Sequence, residues 1–238
     1  MKLNKRLTAL ATMVKQPYDL VWDCCCDHGF LGMKILADGL VRNVNFVDVV
    51  PDIVERLDIK LTTHSHHLPI DAQWQTICDD VANISLHSKL TVEQMKSQET
   101  PNQLVIISGV GGDLMIDILD KLVKRYNDCN IDYLLCPVQH TYKLRNKLQQ
   151  LNFKLKQEEL VIENNRGYEL LLINQLEGYE LSLVGSDIWK NTQEHRSYVL
   201  KLIAHYQRVV TSKNEEALNN KAALKSYEML YKRYFKNE

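Results

Sequence analysis

VWDCCCDHGFLG, residues 21–32, decides the fold of this 238-residue chain. An apolar run ends on Asp23, a tight polar loop follows, and a helical pattern begins at Phe30. An open α/β sheet shapes a nucleotide-sized pocket in this way, at the carboxyl end of its first strand. Asp23 sits at the strand tip, with Asp27 and His28 in the loop mouth. Small residues in the loop CCCDHG let the backbone approach a ligand, but only Gly29 there is a glycine. A left-handed conformation at Cys25 would therefore be strained.

Outward from this stretch, the spacing predicts strands over 20–24, 44–48, 74–78, 104–108 and 133–136. Several are continuous apolar runs, as suits parallel strands buried on both faces. Helical patterns lie between them over 31–40, 52–62, 114–126 and 142–151, so strand and helix alternate as in a parallel sheet with crossover helices. Pro51-Asp52 is a helix-start signal. After residue 151 the pattern changes. Segments 153–162 and 168–174 flank ENNRG, whose Asn164-Asn165 and Gly167 carry hairpin-turn chemistry. Two helical patterns close the chain. Val199, Leu202, Ile203, Tyr206 and Val209 share one face of the first; Leu224, Tyr227, Tyr231 and Tyr234 share one face of the second, with Ser212-Lys213-Asn214 as the turn. The expected division is residues 1–180, an α/β domain, and 187–238, an antiparallel, coiled-coil-like helical pair. The tyrosines of the pair read as core between its helices.

Residues 1–186 carry 19 Lys and Arg against 24 Asp and Glu, whereas 187–238 carry 10 against 6. An acidic body with a basic tail hints at an anionic partner for the helical pair. No run approaches the length of a membrane span, and no secretory signal opens the chain. The six cysteines, three of them adjacent, suit free thiols in a reducing, cytoplasmic setting. CCCDH invites a metal reading, but adjacent cysteines diverge and no CxxC pair accompanies them, so no metal is expected.

Four further motifs follow the later strands. Asp48, with Val49 after it, ends the second strand, where a carboxylate can accept two hydrogen bonds from ribose hydroxyls. Cys78-Asp79-Asp80 follows the third; an aspartate here can accept from an adenine amino group, or cap a helix. SGVGGD, residues 108–113, packs Gly109, Gly111 and Gly112 into four positions, implying a sharp turn that admits something close, with Asp113 expected to cap the helix beginning at Leu114. The absence of GxxxxGK[ST] excludes a P-loop nucleotidase. CPVQHTYKLR, residues 136–145, places Gln139 and His140 at the pocket rim, while Lys143, Arg145 and Lys147 suit either phosphate contact or a solvated helix face.

Together these residues resemble a class I S-adenosylmethionine-dependent methyltransferase. More narrowly, they resemble the bacterial tRNA adenine-N1 methyltransferases that modify adenine 22 (TrmK). That family reads roughly hADIGSDHAYLP, an acidic residue after strand two, GDG, hhIAGMGG, hQPN, then YE in the last strand. The counterparts here are VWDCCCDHGFLG, Asp48, Cys78-Asp79-Asp80, IISGVGG, Leu135-Cys136-Pro137-Val138 and Tyr168-Glu169, and the opening KLNKRLTALATMV is similar to the family's SKRL helix. The chain departs from the pattern at Cys25, where the family has glycine, and at Val138, where it has asparagine.

The resemblance implies a Rossmann-like seven-stranded α/β sheet with a C-terminal antiparallel helical pair, S-adenosyl-L-methionine as cofactor and tRNA as partner. It implies cofactor contacts from Asp23, Cys25, Gly29, Asp48, Val49, Asp79, Asp80, Gly109 and Gly111. Catalysis would fall to Asp27 and His28, and tRNA binding to Lys5, Arg6, Lys143, Arg145, Lys201, Arg208, Lys225 and Arg233. Two other classes stay open: a protein that binds tRNA or the donor without turnover, and a nicotinamide oxidoreductase, which the missing GxGxxG disfavours; within the methyltransferase class, a different substrate, a small molecule or a protein, also stays open.

Overall fold

The computed structural model describes residues 3–15, 17–86, 102–126, 129–210 and 217–235. The expected turn at Ser212–Asn214 lies outside them. Among the described residues, seven strands form one sheet: β1 (Leu20–Cys24), β2 (Asn43–Asp48), β3 (Gln73–Cys78), β4 (Gln103–Ser108), β5 (Ile131–Cys136), β6 (Lys154–Glu163) and β7 (Arg166–Asn174), in the order β3-β2-β1-β4-β5-β7-β6. β1 to β5 are parallel, and the β6–β7 hairpin joins antiparallel to β5. Asn164 and Asn165 both take positive φ, 49° and 60°, as the two-residue turn that matches strand twist requires.

Among the described residues there are seven α-helices: α1 (Lys5–Met13), α2 (Phe30–Ala37), α3 (Pro51–His64), α4 (Gly112–Arg125), α5 (Thr141–Gln150), α6 (Gln193–Val209) and α7 (Ala217–Phe235). Side chains alternate across each strand, so the sheet carries two cores. Trp22, Cys24, Val105 and Ile107 pack with Met115 and Leu119 of α4 on one face. Val21, Leu104 and Ile106 pack with Leu10 of α1 and Ile35 of α2 on the other. No described helix is long and apolar enough to cross a membrane.

The expected start of α4 needs correction. Its N-cap is Gly111 and its first residue Gly112, so Asp113 lies inside the first turn and caps nothing. A Cβ at Gly112 would lie 2.8 Å from the His140 carbonyl oxygen, and the Gly112 N–H donates to the Gln139 carbonyl. Close backbone approach between the two loops thus begins the helix earlier than an acidic cap would. Asp113 still sits favourably near the positive end of the helix dipole.

Arg145 needs a larger correction. It is fully buried, not an RNA-facing cation. Its guanidinium reaches Glu158 on β6 at 2.7 Å, Glu169 on β7 at 2.8 Å and the Ser182 carbonyl at 2.9 Å. The Tyr198 hydroxyl of α6 donates to Glu169, and the Ser186 N–H donates to Glu158. One cation therefore ties α5, the hairpin, the 181–187 connection and α6 together. Helical spacing puts Lys143 and Lys147 on one face of α5 and Arg145 on the opposite one, but the charge of Arg145 gave no sign that its face is the inward one.

The helical pair docks on this frame. Arg196 donates to the Tyr231 hydroxyl near the start of α6, and Tyr206 stacks on Tyr227 near its end, so the helices run antiparallel. Tyr227 and Tyr206 are buried, as expected, but they also pack on Tyr142 of α5. A second apolar cluster joins Leu160 of β6 to Trp189, Val199 and Leu230. Arg145→Met leaves two buried carboxylates without their cation; we expect a loss of about 3–5 kcal/mol in denaturant unfolding.

Candidate active site

The strand order reverses between β1 and β4, and loops leaving their carboxyl ends part there. A cavity of about 240 Å³ opens at this point. Asp23, Cys25, Cys26, Asp27 and His28 line it from the β1 side, and Ser108 and Gly109 from the β4 side. Arg6 also lines it, from α1.

The β1–α2 loop is tightly curled. Cys25 and Asp27 adopt left-handed backbone, with φ of 56° and 45°. Such conformations cost non-glycine residues on the order of 1–3 kcal/mol and concentrate where a site needs a particular shape. The loop is held by the Cys26 N–H on the Val47 carbonyl and by the Asp27 N–H on Asp48 Oδ2, at 3.3 Å. Asp48 Oδ1 accepts from the Val50 N–H at 3.1 Å. Asp48 thus shapes the loop beside it. An ionised carboxylate has about four acceptor sites, so two remain for another ligand.

Asp23 is buried, and its Oδ2 accepts from the Gly32 N–H at 2.9 Å. Burial pushes its carboxyl up to about 7, with the Gly32 bond pulling the other way. Burial also pushes the Cys25 thiol up to about 12, helped by Asp48, Asp23 and Asp80. Cys26 rises further for the same first reason. These thiols stay protonated near neutrality and are poor nucleophiles and metal ligands. Among the described residues, no three His, Cys, Asp or Glu side chains come together to hold a metal.

Asp27 and His28 are both two-thirds exposed at the mouth, 3.7 Å apart. The Lys60 ammonium lies 3.7 Å from the centre of the Phe30 ring and donates to the His28 carbonyl, which steadies the outer edge. Asp79 accepts from the Asp80 N–H and from Asn83, and Asp80 caps a short 3-10 turn through the Ala82 N–H. Both are exposed beyond β3, and the capping alternative for Asp80 is realised. Gly109 takes φ of 85°, and a Cβ added there would meet nothing within 4 Å. Its backbone therefore faces open space in the cleft. Gly111 lies beneath Gln139, and Gly29 is buried at the head of α2.

Apart from the buried Arg145, the expected RNA-contacting cations separate into three groups. Lys5, Lys201, Arg208, Lys225 and Arg233 are exposed. Lys143 is exposed but pairs with Asp113 at 2.7 Å, beside the contact between Asp113 and His140. Arg6 belongs to the cleft instead: it is half-buried, 5.0 Å from the centre of the Tyr168 ring, and its Nε is buried without a hydrogen-bond partner. Its charge alone did not distinguish it from Lys5, since only the packing of α1 on the hairpin turns it inward.

A family model described as a methyltransferase domain matches residues 3–171. M. capricolum TrmK, solved with S-adenosylhomocysteine, is 18% identical over 97% of this chain and 98% of its own, with a TM-score of 0.71. A proposed tRNA (m1A22) methyltransferase of Streptococcus pneumoniae, solved with S-adenosyl-L-methionine, is 18% identical over 96% of this chain and 99% of its own, again at 0.71. The B. subtilis m1A22 tRNA methyltransferase TrmK is 15% identical over 96% of this chain and 95% of its own, at 0.67. These likenesses establish a shared fold. No curated protein matches the sequence.

Two outcomes follow from the cleft. The folded protein binds Asp23's proton more tightly than the unfolded chain does. Stability therefore falls as pH rises from roughly 4, the ordinary aspartate value, to about 7. Asp23→Asn flattens that dependence in unfolding titrations of the ligand-free protein. Cys25→Gly relieves left-handed strain, and we expect it to raise unfolding stability by up to about 1 kcal/mol.

Proposed function

The chain belongs to the methyltransferase-domain family, and on that basis we propose that it transfers a methyl group from S-adenosyl-L-methionine to N1 of an adenine in tRNA, at position 22. The observation that carries the reading is the cleft at the switch point, whose lining fits this donor. Arg6 brings a buried, unpartnered guanidinium Nε for a carboxylate. Asp48, which borders the cleft through its bond to the Asp27 amide, retains acceptor sites for a ribose diol. Gly109 leaves open the space a side chain would fill.

In this reading Asp48 and the Val49 backbone hold the ribose, and Asp79 or Asp80 meets the adenine edge. The loop from Asp23 through Cys25 to Gly29, with Arg6, Gly109 and Gly111, holds the methionyl end. The donor supplies an electrophilic methyl group on a sulfonium. Adenine N1 carries its own lone pair, so the residues around it need to position it rather than deprotonate it. Methylation places positive charge on the ring. Asp27, at the mouth, stabilises that charge, and His28 is placed for the exocyclic amine. The N1 edge must leave any base pair first, at a cost of a few kcal/mol.

The helical pair is the RNA-binding appendage of a body that ends near residue 180. Lys201, Arg208, Lys225 and Arg233 take phosphates, joined by Lys5 and Lys143. Calorimetric titration with S-adenosylhomocysteine tests the cofactor site: binding by the wild type and at least tenfold weaker binding by Asp48→Ala are expected. Methylation of unmodified tRNA, read by mass spectrometry of the digested product, tests the reaction. Product other than 1-methyladenosine would overturn the assigned target, and no transfer to tRNA would overturn the substrate. Asp27→Asn should lower kcat about tenfold or more with little change in binding of the donor product.

A further inference from the structure

We propose that a second cavity, between the β5–α5 loop and the helical pair, takes one nucleobase of the RNA substrate. The proposal rests on the tRNA reading above. The cavity measures about 270 Å³. Its floor is aromatic: Tyr142, Tyr206 and Tyr227 have ring centres 5.7–6.1 Å apart, with Tyr206 and Tyr227 stacked at 17°. Its rim is polar and exposed, made by Gln139, His140 and His205. An apolar floor with a few convergent polar groups selects a flat ligand with a hydrogen-bonding edge. Unpaired nucleobases are recognised in this way, by rings on the face and side chains on the edge.

Charge and position select RNA as the source of that base. Lys201 and Arg208 are exposed on α6 on either side of His205, so two cations flank the cavity mouth. Lys201 is already oriented by its bond to the Asn165 carbonyl. The inner wall also meets the donor cleft's own loop: Gln139 accepts from the Gly112 N–H and lies over Gly111, and the Val138 N–H donates to the Val110 carbonyl. Two further features mark the junction as more than packing. His140 holds left-handed backbone at φ 59° as it starts α5. Tyr227 keeps a fully buried hydroxyl without a hydrogen-bond partner.

The test measures binding of an unmodified tRNA transcript to the full chain across a salt series. It compares wild type with Tyr206→Leu, which keeps apolar bulk but removes the ring, and with the exposed His205→Ala. Calorimetry with S-adenosylhomocysteine checks that each variant retains its body. We expect tRNA affinity to fall about 5- to 100-fold in Tyr206→Leu and severalfold in His205→Ala. The slope of log affinity against log salt should stay unchanged, because no phosphate contact is lost. Unchanged affinity in both variants overturns the proposal, as does a loss accompanied by a shallower slope, which would mean that the helical pair has shifted. If adenosine 5′-monophosphate binds in a Tyr206-dependent way while tRNA affinity does not respond, the occupant is a free nucleotide and the proposal fails. Wild type that binds S-adenosylhomocysteine but no tRNA overturns the RNA reading and this occupant together, leaving the donor cleft standing.

Discussion

The guanidinium of Arg145 is the constraint on which the placement of the helical pair depends. It lies fully buried between Glu158 and Glu169. Burial drives the Glu169 carboxyl above the ordinary carboxylate range, with Arg145 drawing it back. A buried ion cluster of this kind contributes little net stability compared with apolar packing, because removing the charges from water costs about as much as their attraction returns. Its effect is geometric. Each oxygen and each N–H needs a partner at a set distance, so α5, the hairpin and the connection into α6 hold one mutual arrangement. The floor of the second cavity inherits that arrangement, because Tyr142 lies three residues before Arg145 on α5.

At the other end of the sheet the governing constraint is backbone shape. β1 and β4 are neighbours whose crossovers leave to opposite sides, so their loops part and a cleft forms without any side chain demanding it. The side chains then specialise it. Asp48 holds the curled β1–α2 loop through the Asp27 amide, so a carboxylate at the tip of β2 shapes the wall. Cys25 accepts left-handed strain in that loop, and its thiol stays protonated. The site thus gains cysteines without gaining thiolate chemistry.

Much of this architecture is legible in the chain. Continuous apolar runs alternate with helical patterns, and that alternation yields parallel strands buried on both faces. Asn164-Asn165 yields the hairpin, because few residues tolerate the two left-handed positions its turn requires. Asp23 and Asp48 could be placed at strand ends, and Asp27 and Gly109 in the loops that follow, because the apolar runs show where each strand stops. Other positions were not legible. Asp113 reads as a cap, yet the helix begins earlier because two glycine-bearing loops touch. Arg6, Lys143 and Arg145 look alike as cations on helices; one lines the cleft, one pairs with Asp113, and one is buried.

The sequence by itself determined the periodicities, the turns and the strand-end residues, since each depends on local sterics and on the repeat of a strand or helix. Tertiary structure alone decided which charges face water and which face one another, because burial is set by what packs above a residue, not by its neighbours in the chain. It also brought Tyr142, Tyr206 and Tyr227, drawn from three helices, into one cavity wall. Contacts between residues so far apart in sequence leave no local pattern, and the fold that joins them is what gives them a shared role.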